Sequence, residues 1–410
     1  MSAPAPAGSV GRPHPAPGLR RALDRITAEA LGPYQSAVVR IGVCATWLFF
    51  LLRELPHRHE LYGPDSPWGW DLARRLTGGN GAFTVLTWSQ GRLWFEVVYG
   101  AAVLAGVLLL LGWRTRASSA LFMVGVLSLQ NRSVFMGDGG DNVIHLMALY
   151  LLLTRCGQVW SLDARRVARA ARGLPVRDRA GPALWLLLGA LLAATAWRGG
   201  PDGRLLALFC LLWAAHGLWW VVARHEPEGE LRALLDVIAN LVHNAAMLMV
   251  MVEVCLIYAT AGWYKIQGSR WQDGTALYYP LHLDYFTPWP ALSGLLAASG
   301  VLVLVLSYGT VLVQVAFPFT LLNRRIKNVL LALMVLEHLG IAVLLGLPFF
   351  SLAMISADAV FLPTAFLLWL GARVAGPPRR LLARRTGHLV PGPRRGSELD
   401  AAASPRTLVP

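Results

Sequence analysis

The chain has 410 residues, of which 55 % are hydrophobic and 15 % are charged, and its formal net charge is +14. Soluble domains average about 25 % charged residues, and so much apolar surface cannot be hidden in one water-soluble core. The composition therefore excludes an ordinary soluble enzyme and indicates a polytopic membrane protein. The positive charge does not indicate nucleic-acid binding, because the arginines lie in loops between apolar runs, where they are topology signals.

Both ends of the chain differ in composition from the middle. Residues 1–33 begin with a stretch rich in Pro, Ala and Gly that has no apolar core of a signal peptide, and we predict a disordered cytoplasmic tail there. Residues 373–410 are basic and are predicted to form a second disordered cytoplasmic tail. Residues 34–372 form the predicted transmembrane domain, an all-α helical bundle with no large soluble domain.

The apolar runs predict the membrane spans. A span needs about 20 apolar residues, because the hydrocarbon core is roughly 30 Å thick and each helical residue rises ~1.5 Å. We predict ten spans, of which the fourth and fifth are short. In chain order they are 36–52, 93–111, 117–135, 142–154, 183–197, 205–223, 236–261, 295–317, 328–346 and 349–371.

The distribution of Lys and Arg predicts the orientation of the bundle. If the N-terminus is cytoplasmic, the cytoplasmic segments hold 26 basic residues and the outer loops hold 10. Cytoplasmic loops carry the excess of Lys and Arg in membrane proteins. We therefore predict a multi-pass protein of the cell membrane with both termini cytoplasmic. The loop that carries Lys265 then faces outward.

Several ionisable side chains fall inside the predicted spans. Such groups are costly in lipid and are functional hypotheses by default, although each could also form a hydrogen bond that holds two helices together. They are His145, His216, His243, Glu253, Glu337, His338 and Asp358. Glu253 lies about three helical turns before Lys265 and nearly on the same face, provided that the helix continues through Gly262. A buried acid there could set the charge of the amine or relay protons.

Two outer loops carry further candidates. The run Gly-Asp-Gly-Gly-Asp-Asn places Asp141 and Asn142 at a helix entrance, one turn before His145. These side chains could cap the helix or form a polar rim of a cavity. The loop 262–290 is rich in aromatic residues, including Tyr264 and Trp271, which suit either an interfacial belt or a site for a flat ring.

Lys265 is unusual because the chain strongly prefers arginine. Of its 37 basic residues, only Lys265 and Lys327 are lysine. Arginine stays protonated and cannot act as a base, whereas a lysine can do so when desolvation lowers its pKa. A lysine at a helix end could also simply anchor the helix at the interface. The four cysteines form no C-x-x-C pair, so neither a disulfide framework nor a metal site is indicated.

Four sequence patterns together resemble a known family. The first is Y-x-x-A-G-x-x-K-φ followed by W-x-x-G, where φ is apolar. It is formed by Tyr258, Ala261, Gly262, Lys265, Ile266, Trp271 and Gly274. The others are W-S-φ-D at 160–163, the Gly-Asp-Gly-Gly-Asp-Asn run at 137–142 and the C-terminal helical stretch 337–363 with His338. Over roughly residues 34–372 the chain resembles the vitamin K-dependent γ-glutamyl carboxylase superfamily, especially bacterial horizontally transferred transmembrane (HTTM) domain proteins.

The resemblance implies a mechanism that uses reduced vitamin K or menaquinol. In the carboxylases, the lysine that matches Lys265 deprotonates reduced vitamin K, and oxygen converts the hydroquinone to a strong base. That base removes a γ-proton from glutamate, and CO₂ adds to the carbanion. A histidine lies near this lysine in the carboxylases; His145 is the nearest candidate here, and Asn142 matches in another register. The chain departs from the carboxylases because no large lumenal domain follows the predicted spans.

Three functional hypotheses follow. The first is a carboxylase- or oxygenase-like enzyme with Lys265 as base and His145 beside it, at an outward-facing cavity. The second is a non-enzymatic component that binds quinone or lipid, and the third is a proton-coupled transporter. The expected partners are membrane lipid and quinone, and not nucleic acid. The residues assigned to substrate or quinone binding are Tyr264, Trp271, Gly262, Asp141, Asn142, Glu253 and His338.

Overall fold

The structure is a computed structural model that describes residues 17–133, 135–174, 180–198, 203–226 and 228–385. These residues form helices and no strand, which confirms the all-α prediction for the described part of the chain. The first α-helices are α1 (Pro17–Ala28), α2 (Pro33–Glu54), α3 (Arg58–Leu61), α4 (Trp70–Asn80), α5 (Arg92–Leu110), α6 (Thr115–Gln130), α7 (Gly139–Leu153), α8 (Leu162–Ala170) and α9 (Ala180–Trp197).

The second half of the chain is also helical, with short 3-10 helices at the turns. Its α-helices are α10 (Gly203–His225), α11 (Glu230–Gln267), α12 (Ser269–Gln272), α13 (Pro290–Ala297), α14 (Gly300–Ala316), α15 (Arg324–Leu344), α16 (Pro348–Asp358) and α17 (Thr364–Arg385). The 3-10 helices of the whole chain are Leu55–His57, Val85–Trp88, Ala276–Tyr278, Pro280–His282, Asp284–Phe286, Phe317–Thr320 and Ala359–Phe361.

Seven of the predicted spans coincide with helices that are long and apolar enough to cross a membrane, which indicates a membrane protein. In the described residues these helical segments are Pro33–Leu61, Arg92–Leu110, Ala180–Trp197, Gly203–His225, Glu230–Gln267, Gly300–Thr320 and Arg324–Leu344.

The prediction of ten spans is not confirmed, because three of the predicted runs are not single membrane-length helices. The run 117–135 overlaps α6, which has 16 residues, and the run 142–154 overlaps α7, which has 15. A helix of that length reaches only about 24 Å. The run 349–371 is divided between α16 and α17, whose axes differ by 115°. The described residues hold up to eight spans if that bent pair counts as one.

The N-terminal segment differs from the predicted tail. Residues 17–28 form α1, which packs on α11. The side-chain amides of Asn240 and Asn244 donate hydrogen bonds to backbone carbonyls in and just after α1. These bonds satisfy carbonyls that a helix end otherwise leaves unpaired. Residues 373–385 of the predicted C-terminal tail belong to α17, which also differs from the prediction. Residues 1–16 and 386–410 lie outside the described residues.

His243, one of the ionisable residues in the spans, joins three segments of backbone. Its Nδ1 accepts the N–H of Arg155 at 2.9 Å, and its Nε2 lies 2.9 Å from the carbonyl oxygen of Leu31. The Nε2 atom therefore carries the proton and donates it to that carbonyl. His243 is completely buried and both ring nitrogens have backbone partners. For His243, the structure supports the interpretation that the side chain holds parts of the bundle together by hydrogen bonds.

The W-S-φ-D run caps two helices. The carboxylate of Asp163 accepts the N–H of Arg114 at 3.0 Å and the N–H of Thr115 at 2.8 Å, at the start of α6. The hydroxyl of Ser161 accepts the N–H of Ala164 at 2.8 Å, at the start of α8. Acids and hydroxyls at helix N-termini satisfy unpaired N–H groups and complement the helix dipole. The run thus has a structural role in joining α6 to α8.

The α9–α10 hairpin is held by a pair of tryptophans. The rings of Trp185 and Trp213 stack at 4.1 Å, and each indole N–H donates to the backbone carbonyl of the other residue. A glycine lies four residues after each tryptophan, and a Cβ at Gly189 or Gly217 would lie under 3.0 Å from the opposite ring. The repeated W-x-x-x-G pattern therefore lets the two helices approach closely.

Arg40 is the central polar residue of the bundle. It lies in α2, which packs against α5, α7 and α16, and it is completely buried. Its guanidinium donates to the carbonyls of Leu109 and Leu110 at 2.6 Å, of Trp160 at 2.8 Å and of Cys156 at 3.2 Å. Two of these carbonyls belong to the last turn of α5, where a cation also complements the helix dipole. Arg40 therefore ties α2 to the end of α5 and to the loop before α8.

We expect Arg40→Gln to lower the free energy of unfolding by at least about 3 kcal/mol, because each buried carbonyl that loses its donor costs about 1–3 kcal/mol. The measurement is an SDS unfolding titration in mixed micelles, followed by tryptophan fluorescence. Arg204→Gln is the control, since Arg204 is exposed in α10, and it should change the free energy by less than about 0.5 kcal/mol. Equal effects of the two changes would contradict the role of Arg40.

Candidate functional site

Lys265 lies in the last turn of α11 and is half-buried. The helix runs without a break through Gly262, so it brings Lys265 into the bundle as part of a continuous helix. The Nζ atom donates to Oε1 of Gln314 in α14 at 2.8 Å. The Nε2 atom of Gln314 in turn donates to Oε1 of Glu337 in α15 at 2.6 Å. One amide thus connects an amine to a carboxylate across three helices.

The direction of the Gln314 amide follows from its two partners. An amide oxygen only accepts hydrogen bonds and an amide NH₂ only donates them. With Oε1 towards Lys265 and Nε2 towards Glu337, the amide stabilises positive charge on the amine and negative charge on the carboxylate. Buried polar groups that are connected in this way polarise one another. The chain Lys265–Gln314–Glu337 is called the amine chain below.

Trp271 lies directly over the amine. Its ring centroid is 5.3 Å from Nζ of Lys265, within the range of a cation–π contact. Trp271 lies in the short helix α12, and the chain turns back after it at Gly274, which has φ of +76°. The next turn is held by Asp273, which accepts the N–H and the hydroxyl of Thr275. These hydrogen bonds lower the pKa of the Asp273 carboxyl, so the turn keeps its negative acceptor.

A second polar group lies two turns earlier on α11. The hydroxyl of Tyr258 donates to Oδ2 of Asp358 in α16 at 2.9 Å. The hydroxyl oxygen of Tyr258 also lies 2.9 Å from Nε2 of His338 in α15. Because the phenol has one proton, the imidazole is the donor in the second bond and carries its proton on Nε2. All three residues are buried, with exposed fractions of 1–2 %.

Two atoms of this group have no hydrogen-bond partner among the described residues. They are Nδ1 of His338 and Oδ1 of Asp358, and both are buried. Buried polar atoms are nearly always paired with protein, water or a ligand. The group is next to the amine chain, since His338 follows Glu337 on α15, and Tyr258 shares a helical face with Lys265 seven residues later. Together the two groups place an amine, two carboxyls, an imidazole and a phenol at one end of the bundle.

Gly262 lets α14 approach the amine. A Cβ at this position would lie 2.6 Å from Cγ2 of Val315, which is closer than side-chain carbons come. Val315 is the neighbour of Gln314 in α14. The missing side chain at Gly262 therefore allows the helix contact through which Gln314 reaches Lys265. Its assigned part in substrate binding stays a prediction.

The other predicted residues occupy three different places. Glu253 lies near Tyr150 of α7, and the acid connected to Lys265 is Glu337 instead. His145 is half-buried in α7. Tyr264 is 74 % exposed.

The acidic turn before α7 forms a capping box. The carboxylate of Asp138 accepts the N–H groups of Gly140 and Asp141, and Asp141 accepts the N–H of Asp138 at 2.8 Å. Asn142 is exposed. Of the two interpretations of this turn, capping is the one that the structure shows. A rim around a cavity at Asp141 and Asn142 stays a prediction.

Sequence analysis missed Gln314. The signal that could have found it is a lone amide inside the apolar run 300–316, since a polar side chain in a span requires a partner. Asp358 and Tyr258 were noticed separately, and their direct contact depends on helix packing. Among the described residues no group of three His, Cys, Asp or Glu side chains could hold a metal ion.

The helices that carry the amine chain expose much of their apolar surface. In the most apolar stretches of α11, α14 and α15, only 33 %, 22 % and 17 % of the residues are buried inside the protein. Large exposed apolar residues next to the amine include Trp263 and Ile266. In a membrane this surface contacts lipid.

Comparison with family models, with curated proteins and with solved structures finds no match to this chain.

We expect Gly262→Ala to lower the free energy of unfolding by about 1–3 kcal/mol, because the added methyl group overlaps Val315 and forces α14 outward. Adding Val315→Ala should recover most of that loss by removing the overlapping methyl carbon. The measurement is a double-mutant cycle by SDS unfolding.

Gly309→Ala in α14 is the matched control, since a Cβ there meets nothing within 4 Å. It should leave stability unchanged or slightly raised, because alanine favours helix. A loss at Gly309 as large as the loss at Gly262 would contradict the close-contact explanation.

Proposed function

We propose that this protein is an integral membrane enzyme of the HTTM type that removes a proton from a lipid-soluble hydroquinone, with Lys265 as the base. The observation that carries the proposal is the amine chain on the lipid-facing side of the bundle. The resemblance around Tyr258, Gly262, Lys265 and Trp271 supports the same assignment. The carboxylation of a substrate would follow from the hydroquinone chemistry. An assay must identify which substrate is carboxylated.

The residues present suit a hydroquinone. Trp271 offers an aromatic face beside the amine, and the buried unpaired Nδ1 of His338 and Oδ1 of Asp358 offer acceptors for a second hydroxyl. A reduced vitamin K or menaquinol supplies an oxidisable ring with two acidic hydroxyls. The site therefore matches an aromatic diol better than it matches an aliphatic lipid.

The amine chain explains how a lysine could act as base here. A neutral Lys265 amine takes the hydroxyl proton and becomes an ammonium. The Gln314 oxygen already points at Nζ, and the Glu337 carboxylate lies beyond it. The positive charge that develops is thus met by dipoles and a charge that are in place before the reaction. An arginine would already be protonated and could not accept the proton.

Two other hypotheses predict different results. A non-enzymatic component would bind the quinol without turning it over. A transporter would use Glu337 and His338 as a proton path, and it would move protons across vesicles without changing the quinol. That hypothesis also uses Glu253, which lies near Tyr150.

The test is an oxygenation assay in nanodiscs. Reduced menaquinone or reduced vitamin K is added with oxygen and bicarbonate, and quinone epoxide is measured by mass spectrometry. We expect Lys265→Arg to lower the rate at least about 100-fold, because general bases contribute 10²–10⁴-fold. Lys327→Arg is the matched control: it changes the only other lysine, in the first turn of α15, and it should retain the rate within about twofold.

Tryptophan fluorescence quenching by the same quinol gives a separate binding measurement. Epoxide formation that survives Lys265→Arg would contradict the base role. Saturable quinol binding without epoxide in any variant would favour the non-enzymatic component.

A further inference from the structure

A cavity of about 270 Å³ lies away from the amine chain. Its walls include Tyr62, Trp70, Leu86, Phe95 and Arg132. It lies beyond the end of α2, because Tyr62 donates to the carboxylate of Glu54 in the last turn of that helix. The Arg132 cavity, as it is called below, is separate from the site of the proposed function, and none of the side chains assigned there lines it.

Arg132 is a buried charge without a carboxylate partner. It is only 2 % exposed, and its guanidinium donates to the carbonyls of Trp68 at 2.9 Å and Gly63 at 3.2 Å. Burial lowers the pKa of Arg132, and no charged group among the described residues raises it. A guanidinium has five N–H donors, so three remain after these two bonds. An uncompensated buried charge is costly, and an anion in the cavity would offset that cost.

The indole of Trp70 presents a second unused donor. Its Nε1 atom is buried and has no hydrogen-bond partner among the described residues. Trp70 lines the cavity, whereas Trp68, whose Nε1 atom is also unpaired, does not. The unused hydrogen-bonding groups of the wall, on Arg132 and Trp70, are therefore donors. The cavity favours a ligand that accepts hydrogen bonds.

The rest of the wall limits the charge and shape of the ligand. Tyr62, Leu86 and Phe95 are buried residues with aromatic or aliphatic side chains. Asp71 at the rim is exposed and negative, while Arg74 is exposed with its guanidinium 5.2 Å from the Trp70 ring. Asp71 lines the cavity and Arg74 does not, so Arg132 is the cation of the lining. A single guanidinium balances one negative charge, and a monoanion therefore suits it better than a phosphate dianion.

We propose that the Arg132 cavity binds a small monocarboxylic acid with an apolar or aromatic body. The carboxylate accepts from the free N–H groups of Arg132 and from Nε1 of Trp70, and the body packs on Phe95 and Leu86. Hydrogen bonds to an ionised group are the strong ones, which makes the acid distinguishable from its amide.

The test uses phenylacetate and phenylacetamide, which differ in charge and nearly match in shape. Each is titrated into the full-length protein in nanodiscs by isothermal titration calorimetry, and inorganic phosphate is titrated separately. We expect saturable binding of phenylacetate, and binding of phenylacetamide at least about tenfold weaker. Equal affinity for the two compounds, no saturable phenylacetate binding, or tighter binding of phosphate would overturn the proposal.

A matched pair of variants locates the site. Trp70→Phe removes one donor from the wall and should weaken phenylacetate binding about tenfold. Trp68→Phe removes an unpaired indole N–H outside the wall and should leave the affinity unchanged. Arg132→Gln should abolish binding, and size-exclusion chromatography checks that it folds. If Arg132→Gln does not fold, the tryptophan pair decides: equal affinities in Trp70→Phe and Trp68→Phe would overturn the assignment.

Discussion

Polar groups inside a membrane bundle have no water to bind, so each must find a partner within the protein. This constraint explains the main contacts of the fold. Arg40 satisfies four backbone carbonyls at the junction of α2, α5 and the loop before α8. His243 joins α11 to the backbone before α2 and after α7. In each case a buried polar side chain determines which helix ends meet, and apolar packing fills the space around them.

The same constraint defines the candidate site. Lys265, Gln314 and Glu337 come from three helices and satisfy one another in a fixed direction. Next to them, His338 and Asp358 each keep one buried atom without a partner among the described residues. Buried polar atoms usually have a partner in protein, water or ligand, so these two atoms are candidate contact points for a ligand or water. In the proposed function the amine chain takes up the proton, and the neighbouring group supplies further hydrogen-bonding atoms.

The membrane-length helices and the interest of Lys265 could be predicted from the sequence, because both depend on local sequence pattern. Long apolar runs indicated membrane-length helices, and the rarity of lysine drew attention to Lys265. The partner of Lys265 could not be predicted, since Glu253 satisfies the helical spacing while Gln314 lies on another helix that the close contact at Gly262 brings near. Glu337 is connected to the amine only through Gln314. The ten spans counted from apolar runs are not confirmed either. Composition does not show that α6 ends after 16 residues or that the chain bends by 115° between α16 and α17.

The central claim is that the Lys265 amine belongs to the amine chain and meets the hydroquinone. With only two lysines in the chain, ¹⁵Nζ-lysine NMR of the protein in nanodiscs gives two side-chain signals, which Lys327→Arg assigns. We predict that Gln314→Leu and added reduced menaquinone each shift the Lys265 signal and leave the Lys327 signal in place. A Lys265 signal that neither change moves, at quinol concentrations that saturate binding, would contradict the account.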